Sequence, residues 1–165
     1  MMDDGDFIES LGLPFLAHRL RRASELLLEG TAAYLRDQQI AAPPRSVSTL
    51  LLLKRDGPLG ITQIANRLRL THPLIIKLVA RLEEVGYVSQ QISPEDRRRR
   101  VISLTEAGAE QTRRIEAGVE DIERSFRELL DEIGIDLFEG VQRLEAATRD
   151  RTMEQRLAKE AAPSS

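Results

Sequence analysis

The side chains best equipped for chemistry in this sequence are cations, and the chemistry open to them is the binding of anions. Arg97, Arg98, Arg99 and Arg100 stand in a row behind the turn-forming string Ser93-Pro94-Glu95-Asp96. Guanidinium groups are planar, permanently charged donors suited to phosphate. A bare arginine run is usually a solvated loop, so its neighbours must decide its meaning. Asp96 cannot favour an anion by charge; its expected role is to hold an arginine, Arg98, in a bidentate pair. A second candidate set lies upstream, where Thr62, Thr71, His72, Pro73, Ile76 and Lys77 fall on two short predicted helices.

Little else in the chain could support a reaction. There are two histidines and no cysteine, which excludes disulfides, zinc–thiolate sites and thiol redox chemistry on these residues. No metal-ligand spacing, nucleophile elbow or Gly-rich phosphate loop is present. Glu83 and Glu84 are paired acids, but adjacent helical residues do not converge. Neither an enzyme nor a cofactor is expected. No segment is apolar enough to span a bilayer, the first residues are acidic and unlike a signal peptide, and the absence of cysteine suits a reducing cytoplasm.

Charge is unevenly spread. Between Lys54 and Arg100 there are ten Lys or Arg and five Asp or Glu, a balance of +5, while the whole chain carries −3. An acidic protein with a basic central lobe can bind nucleic acid with that lobe alone.

The elements that must position these residues follow from periodicity and punctuation. At 165 residues with 41% hydrophobic content, one mainly helical domain is expected. Apolar positions Phe15, Leu16, Leu20, Ala23, Leu26, Leu27 and Tyr34 predict a helix over about 14–39, ended by Ala41-Ala42-Pro43-Pro44. Ser46 is expected to cap the next helix, with Leu50 to Leu53 buried, and Thr62 a third with Ile64, Ala65 and Leu68 inward. Thr71 is expected to cap a fourth, running to about Val85, with Pro73 in its first turn and Gly86 ending it. Its stripe of Ile75, Leu78, Val79, Leu82 and Val85 should face inward, leaving His72, Pro73, Ile76, Lys77 and Ala80 outside. Residues 87–92 and 100–104 predict two short strands around the arginine-bearing turn. Thr105 opens a helix to about Ile133, Gly134 breaks it, Asp136 with Glu139 caps a last helix to about Leu157, and residues 161–165 form a tail.

Two helices joined by a tight turn, followed by a basic hairpin, make a winged helix-turn-helix. The second helix can lie in a DNA major groove, its N-terminal end toward the base edges. Lys77 can reach guanine acceptors or phosphate, His72 a phosphate or base, and Thr62 and Thr71 can help hold phosphates. The loop of Arg97, Arg98 and Arg99 would reach the adjacent minor groove. The plainer reading of Lys77 is a solvated helix lysine.

Residues 46–110 resemble the MarR family of bacterial transcription regulators. The likeness is carried by Ile61-Thr62-Gln63-Ile64-Ala65, Thr71-His72-Pro73, Arg81-Leu82-Glu83-Glu84-Val85-Gly86-Tyr87-Val88, and above all Asp96-x-Arg98 followed by Leu104-Thr105-x-x-Gly108. The resemblance implies a homodimer with N- and C-terminal dimerisation helices (about 14–39 and 105–157) flanking a winged lobe (about 46–104). It also implies double-stranded DNA as partner, a pseudo-palindromic operator, repression as the simplest mode, and often a small-molecule effector. His18 and Arg22 are the candidates for such a ligand, against the plainer reading of His18 as a packing residue.

Departures from the family pattern raise two questions. Leu74 and Ile76 are apolar where many members carry Thr or Ser. Either Ile76 contacts a thymine methyl, or this face has lost base readout and specificity comes from the wing and DNA shape. The same residues leave open a second function, a winged-helix dimer that binds a partner protein without specific DNA binding. Arg69 stands where glycine is frequent, at a cost if its φ is positive.

Overall fold

The computed structural model describes residues 6–92 and 100–160. The predicted wing tip and the tail 161–165 lie outside the described residues. The chain divides into two compact units, Met1–Glu120 and Asp121–Ser165.

The first unit begins with a short helix that periodicity did not predict, α1 (Phe7–Ser10), capped by Asp6, whose carboxylate accepts from the Ile8 N–H at 3.0 Å. A 3₁₀ turn, Leu13–Phe15, leads into α2 (Leu16–Asp37). This helix stops before the prolines rather than at them. Gln39 takes a left-handed conformation (φ 57°), and the Gln39 and Ile40 N–H groups bond back to Arg36 and Leu35 carbonyls at 2.9 and 2.8 Å. These are the bonds of a Schellman ending.

Three predicted caps are corrected. Ser46 stands before α3 (Val47–Asp56) but makes no capping bond: the 3₁₀ turn Pro44–Ser46 leaves its backbone near helical values (φ −101°, ψ −4°), not the extended geometry a capping hydroxyl uses. Thr62 is the second residue of α4 (Ile61–Leu68), not its cap. Gly60 holds that position, and its N–H donates to Gln63 Oε1 at 3.0 Å. Thr71 does precede α5 (His72–Glu84) with extended backbone, yet its hydroxyl caps nothing.

Helix α5 carries two parallel stripes. Ile75, Leu78, Val79 and Leu82 are buried, at spacing i, i+3, i+4, i+7. Thirteen residues form only a marginal helix alone, whereas each buried side chain of this size contributes about 1.5–3 kcal/mol. Packing against α4 and the lobe core, not propensity, therefore holds α5 in place. That core includes Leu50, Leu52, Leu53, Ile64, Val88 and Ile102, joined by Leu35 from α2 and Ile115 from further along the chain.

Strands β1 (Val88–Ile92) and β2 (Arg100–Leu104) pair antiparallel, with Val88 opposite Leu104 and Ile92 opposite Arg100. Val101, Ile102 and Ser103 are all buried, so β2 is covered on both faces instead of alternating. Leu59 adds a bridge on the far edge, its backbone exchanging hydrogen bonds of 3.1 and 2.8 Å with Ile102. The Gly57–Gly60 break is therefore also a fragment of sheet.

Helix α6 (Glu106–Ile133) opens on Thr105 as predicted. The Thr105 hydroxyl accepts from the Gly108 N–H at 3.0 Å and donates to the Gly86 carbonyl at 2.7 Å, while the Thr105 N–H donates to the Tyr87 carbonyl at 3.0 Å. Gln111 accepts from the Ala41 N–H at 3.1 Å, and Lys54 pairs with Glu116, so the first part of α6 is tied to the lobe.

In the second unit, Gly134 (φ 67°) ends α6, and Asp136 caps α7 (Leu137–Asp150) by accepting from the Glu139 N–H at 2.8 Å. The predicted single last helix is in fact two. Arg151 is extended (φ −136°, ψ 112°) and separates α7 from α8 (Met153–Glu160). Thr152 and Gln155 form a reciprocal capping box: Thr152 N–H donates to Gln155 Oε1 at 2.9 Å and Gln155 N–H to Thr152 Oγ1 at 3.2 Å. Arg156 then bonds the Ala147 and Arg151 carbonyls at 2.8 and 3.1 Å, closing the step between the helices.

Candidate nucleic-acid interface

The outer stripe of α5 is Pro73, Ile76, Lys77 and Ala80, again spaced i, i+3, i+4, i+7 and all exposed. His72 is exposed at the first position of the helix, and Thr71 just before it. Thr62 is exposed in the first turn of α4. The structure thus places every described candidate for anion contact on the lobe's surface. Asp96, Arg97, Arg98 and Arg99 lie outside the described residues.

Charge pairing separates the lobe's cations into two groups. Lys54 pairs with Glu116, Arg55 and Arg67 share Asp56, and Arg81 pairs with Glu84. The Asp56 carboxyl is held below the usual carboxylate range, chiefly by its hydrogen bond from Arg55. Such exposed pairs add roughly 0–1 kcal/mol each to stability, so their main effect is to cancel charge. Arg45, Arg69 and Lys77 form no ion pair among the described residues.

The polarity of α5 reinforces this. Its first turn holds no acid, nor does that of α4, whereas Glu83 and Glu84 sit at the far end of α5. The unsatisfied amides and positive dipole end of each helix start are left uncancelled.

Arg69 is a residue that sequence reasoning treated only as a source of strain. It ends α4 in the left-handed region (φ 55°), with the Leu70 N–H bonded to the Ala65 carbonyl at 3.0 Å. This puts a guanidinium with no ion pair among the described residues on the turn between α4 and α5. Its place one residue past the last apolar position of α4, Leu68, was the available signal. Arg100, at the base of the wing, donates to Gln90 Oε1 at 2.8 Å and is held along the strand pair.

His18 and Arg22 are one helical turn apart on α2 and exposed. Arg22 pairs with Asp6, and that hydrogen bond lowers the Asp6 carboxyl to about 2 and raises the Arg22 guanidinium. The pair fastens Asp6, the cap of α1, to α2.

Residues 43–99 match the model of the MarR family. No curated protein matches the chain. Among solved structures, it is similar to the MepR–DNA complex of S. aureus (20% identity, 80% of this chain and 97% of that one, TM-score 0.63). It is also similar to the PcaV transcriptional regulator of Streptomyces coelicolor in complex with its natural ligand (24%, 84% and 95%, TM-score 0.61). CouR of Rhodococcus jostii RHA1, bound to p-coumaroyl-CoA, is a third (24%, 84% and 92%, TM-score 0.57). At these identities the likeness speaks for the fold: a mainly helical chain with a two-stranded wing. The family match falls on residues 43–99, the segment that carries α3, α4, α5 and β1, so the winged lobe of this chain is similar to the MarR family.

Proposed function

We propose that this chain is a sequence-specific, double-stranded-DNA-binding transcriptional regulator that acts as a homodimer and, in its simplest mode, represses by occupying a promoter. The observation that carries the reading is the outer face of α5. It combines a Lys77 without an ion pair among the described residues, an acid-free N-terminal turn, and Arg69, likewise without an ion pair among the described residues, on the turn before α5. In this reading α5 enters the major groove, Thr62, Thr71 and His72 hold phosphates, Pro73 and Ile76 face bases, and Arg97, Arg98 and Arg99 reach the minor groove with Asp96 orienting Arg98.

Dimerisation is supported by apolar side chains left in water by the single chain. Leu16, Leu26 and Leu27 are exposed on α2, and Leu129, Ile133, Phe138 and Leu144 in the second unit. Patches of this kind mark interaction surfaces. Residues 14–39 and 105–157 are the proposed dimerisation helices of one functional domain. A dimer would present two α5 helices to half-sites about 34–36 Å apart.

A small-molecule effector, taken up near His18 and Arg22, would act by binding one lobe spacing more tightly than another. The ligand-bound relatives, PcaV and CouR, support that class of partner. Among the described residues no helix is long and apolar enough to cross a membrane, which accords with a cytoplasmic site of action.

The test is selection of bound fragments from sheared genomic DNA by the wild type and by a Lys77→Ala, Arg98→Ala double variant. A pseudo-palindromic motif enriched by the wild type and lost in the variant is the expected result; a folded wild type that retains no DNA at low salt would end the proposal. The exposure of Leu74 (38%) and Ile76 (49%) favours one other reading, a protein-docking module. Binding through several phosphates weakens steeply with salt, whereas apolar docking does not, so a salt titration separates the two.

A further inference from the structure

We propose that α5 reads thymine C5-methyl groups, with Ile76 as the principal specificity-determining residue; this rests on the DNA-binding reading above. The outer stripe Pro73, Ile76, Lys77 and Ala80 contains a single side chain able to hydrogen-bond, Lys77. Recognition of adenine or cytosine by bidentate or accepting side chains needs Asn, Gln, Asp or Glu at such positions, and this stripe has none. What it offers instead is three apolar surfaces, of which Ile76 is the largest and is 49% exposed. In the major groove the apolar feature of a base pair is the thymine methyl.

The neighbouring charge argues for DNA as the occupant of this surface. Lys77 is one residue from Ile76 on the same face, Arg69 lies three residues before α5, and neither has an ion pair among the described residues. The acids of α5 stand at its other end. Ile76 is also free of any part in the core, because the stripe that holds α5 in place is Ile75, Leu78, Val79 and Leu82. It can be changed without opening a cavity.

The experiment is a selection from two random duplex pools, one synthesised with thymine and the other with uracil, which lacks only the methyl. The wild type and an Ile76→Ala variant are compared after circular dichroism has established that both fold. The expected result is a motif with fixed thymines from the first pool. In the enriched sequence, single thymine-to-uracil replacements at those positions should weaken wild-type binding about fourfold each, the value of one buried methyl. The Ile76→Ala variant should bind both forms equally. A motif of unchanged strength in the uracil pool overturns methyl readout and leaves the DNA-binding reading standing. Uracil sensitivity that survives in Ile76→Ala overturns the assignment to Ile76. No retention of either pool at low salt overturns the DNA-binding reading, and this inference with it.

Discussion

Gly108 shows how much a single hydrogen atom can decide. A Cβ built at this residue would lie 1.9 Å from the Tyr87 carbonyl oxygen, a backbone atom fixed by its bond from Thr105. At Gly118 the same addition meets Tyr34 at 3.2 Å, through a side chain that can yield. Gly108→Ala is therefore expected to cost about 2–3 kcal/mol and Gly118→Ala about 1 kcal/mol or less, read as shifts of the urea midpoint at constant slope. Arg69 makes the opposite case. Its left-handed backbone is strained for a residue with a Cβ, so Arg69→Gly should raise stability by about 0.5–1 kcal/mol. The same variant should bind DNA more weakly and lower the salt slope by about one if the guanidinium meets a phosphate. A variant that loses stability would show that Arg69 makes native contacts worth more than its strain.

At the scale of the element, the tie between α1 and α2 depends on ionisation. Asp6 titrates at about 2 when paired with Arg22, against 3.8 for the free group. A carboxyl with a lowered folded-state value adds stability above its unfolded value and loses it as pH falls through the folded one. The attachment of α1 should thus be intact above pH 4 and released toward pH 2. NMR titration of the Asp6 carboxyl should move up toward the ordinary value in Arg22→Ala, the Ile8 N–H still holding part of the shift; an unchanged titration would show that the pair does not form in solution. In α8, Thr152→Ala should remove a cap worth about 1 kcal/mol and speed amide exchange at residues 153–156, leaving α7 unaffected.

Helix identity was legible wherever a four-residue apolar stripe was present, as in α5, because burial follows spacing directly. Helix ends were harder. Ser46, Thr62 and Thr71 all have the right chemistry for a cap, but Ser46 lacks the extended backbone, Thr62 stands inside the first turn, and Thr71 meets both conditions without making the bond. Those are tertiary facts. The step at Arg151 was visible in principle, since Thr152-Met153-Glu154-Gln155 has the spacing of a capping box; the apolar residues on either side, Leu144 and Leu157, masked it. Gln39 and Arg69 end helices in the conformation usually left to glycine; the family resemblance pointed to Arg69, whereas nothing in the sequence pointed to Gln39.

For the whole molecule, the exposed leucines and phenylalanines provide the test of the proposed dimer. Leu26→Asp with Phe138→Asp, both at exposed positions (65% and 69%), should leave the winged lobe folded, give a monomer by sedimentation, and abolish cooperative filling of paired half-sites. A variant that still sediments as a dimer would remove these faces from the interface. The exposure of Lys77, His72 and Thr62 was readable from sequence, because helical spacing is local. Which cations are cancelled was not, since Lys54 with Glu116 joins residues far apart in the chain.

The lock at Thr105 has a mechanical consequence. Two hydrogen bonds from Thr105, which itself caps α6, and a contact too close for a methyl group join the exit of α5 to the start of α6. The joint is built as a bracket rather than a hinge, so in the DNA-binding reading proposed above a turn applied to the start of α6 would reach α5 undiminished. On that reading the protein would be steered from that end of α6, its grip on DNA changing by aim, not by loosening.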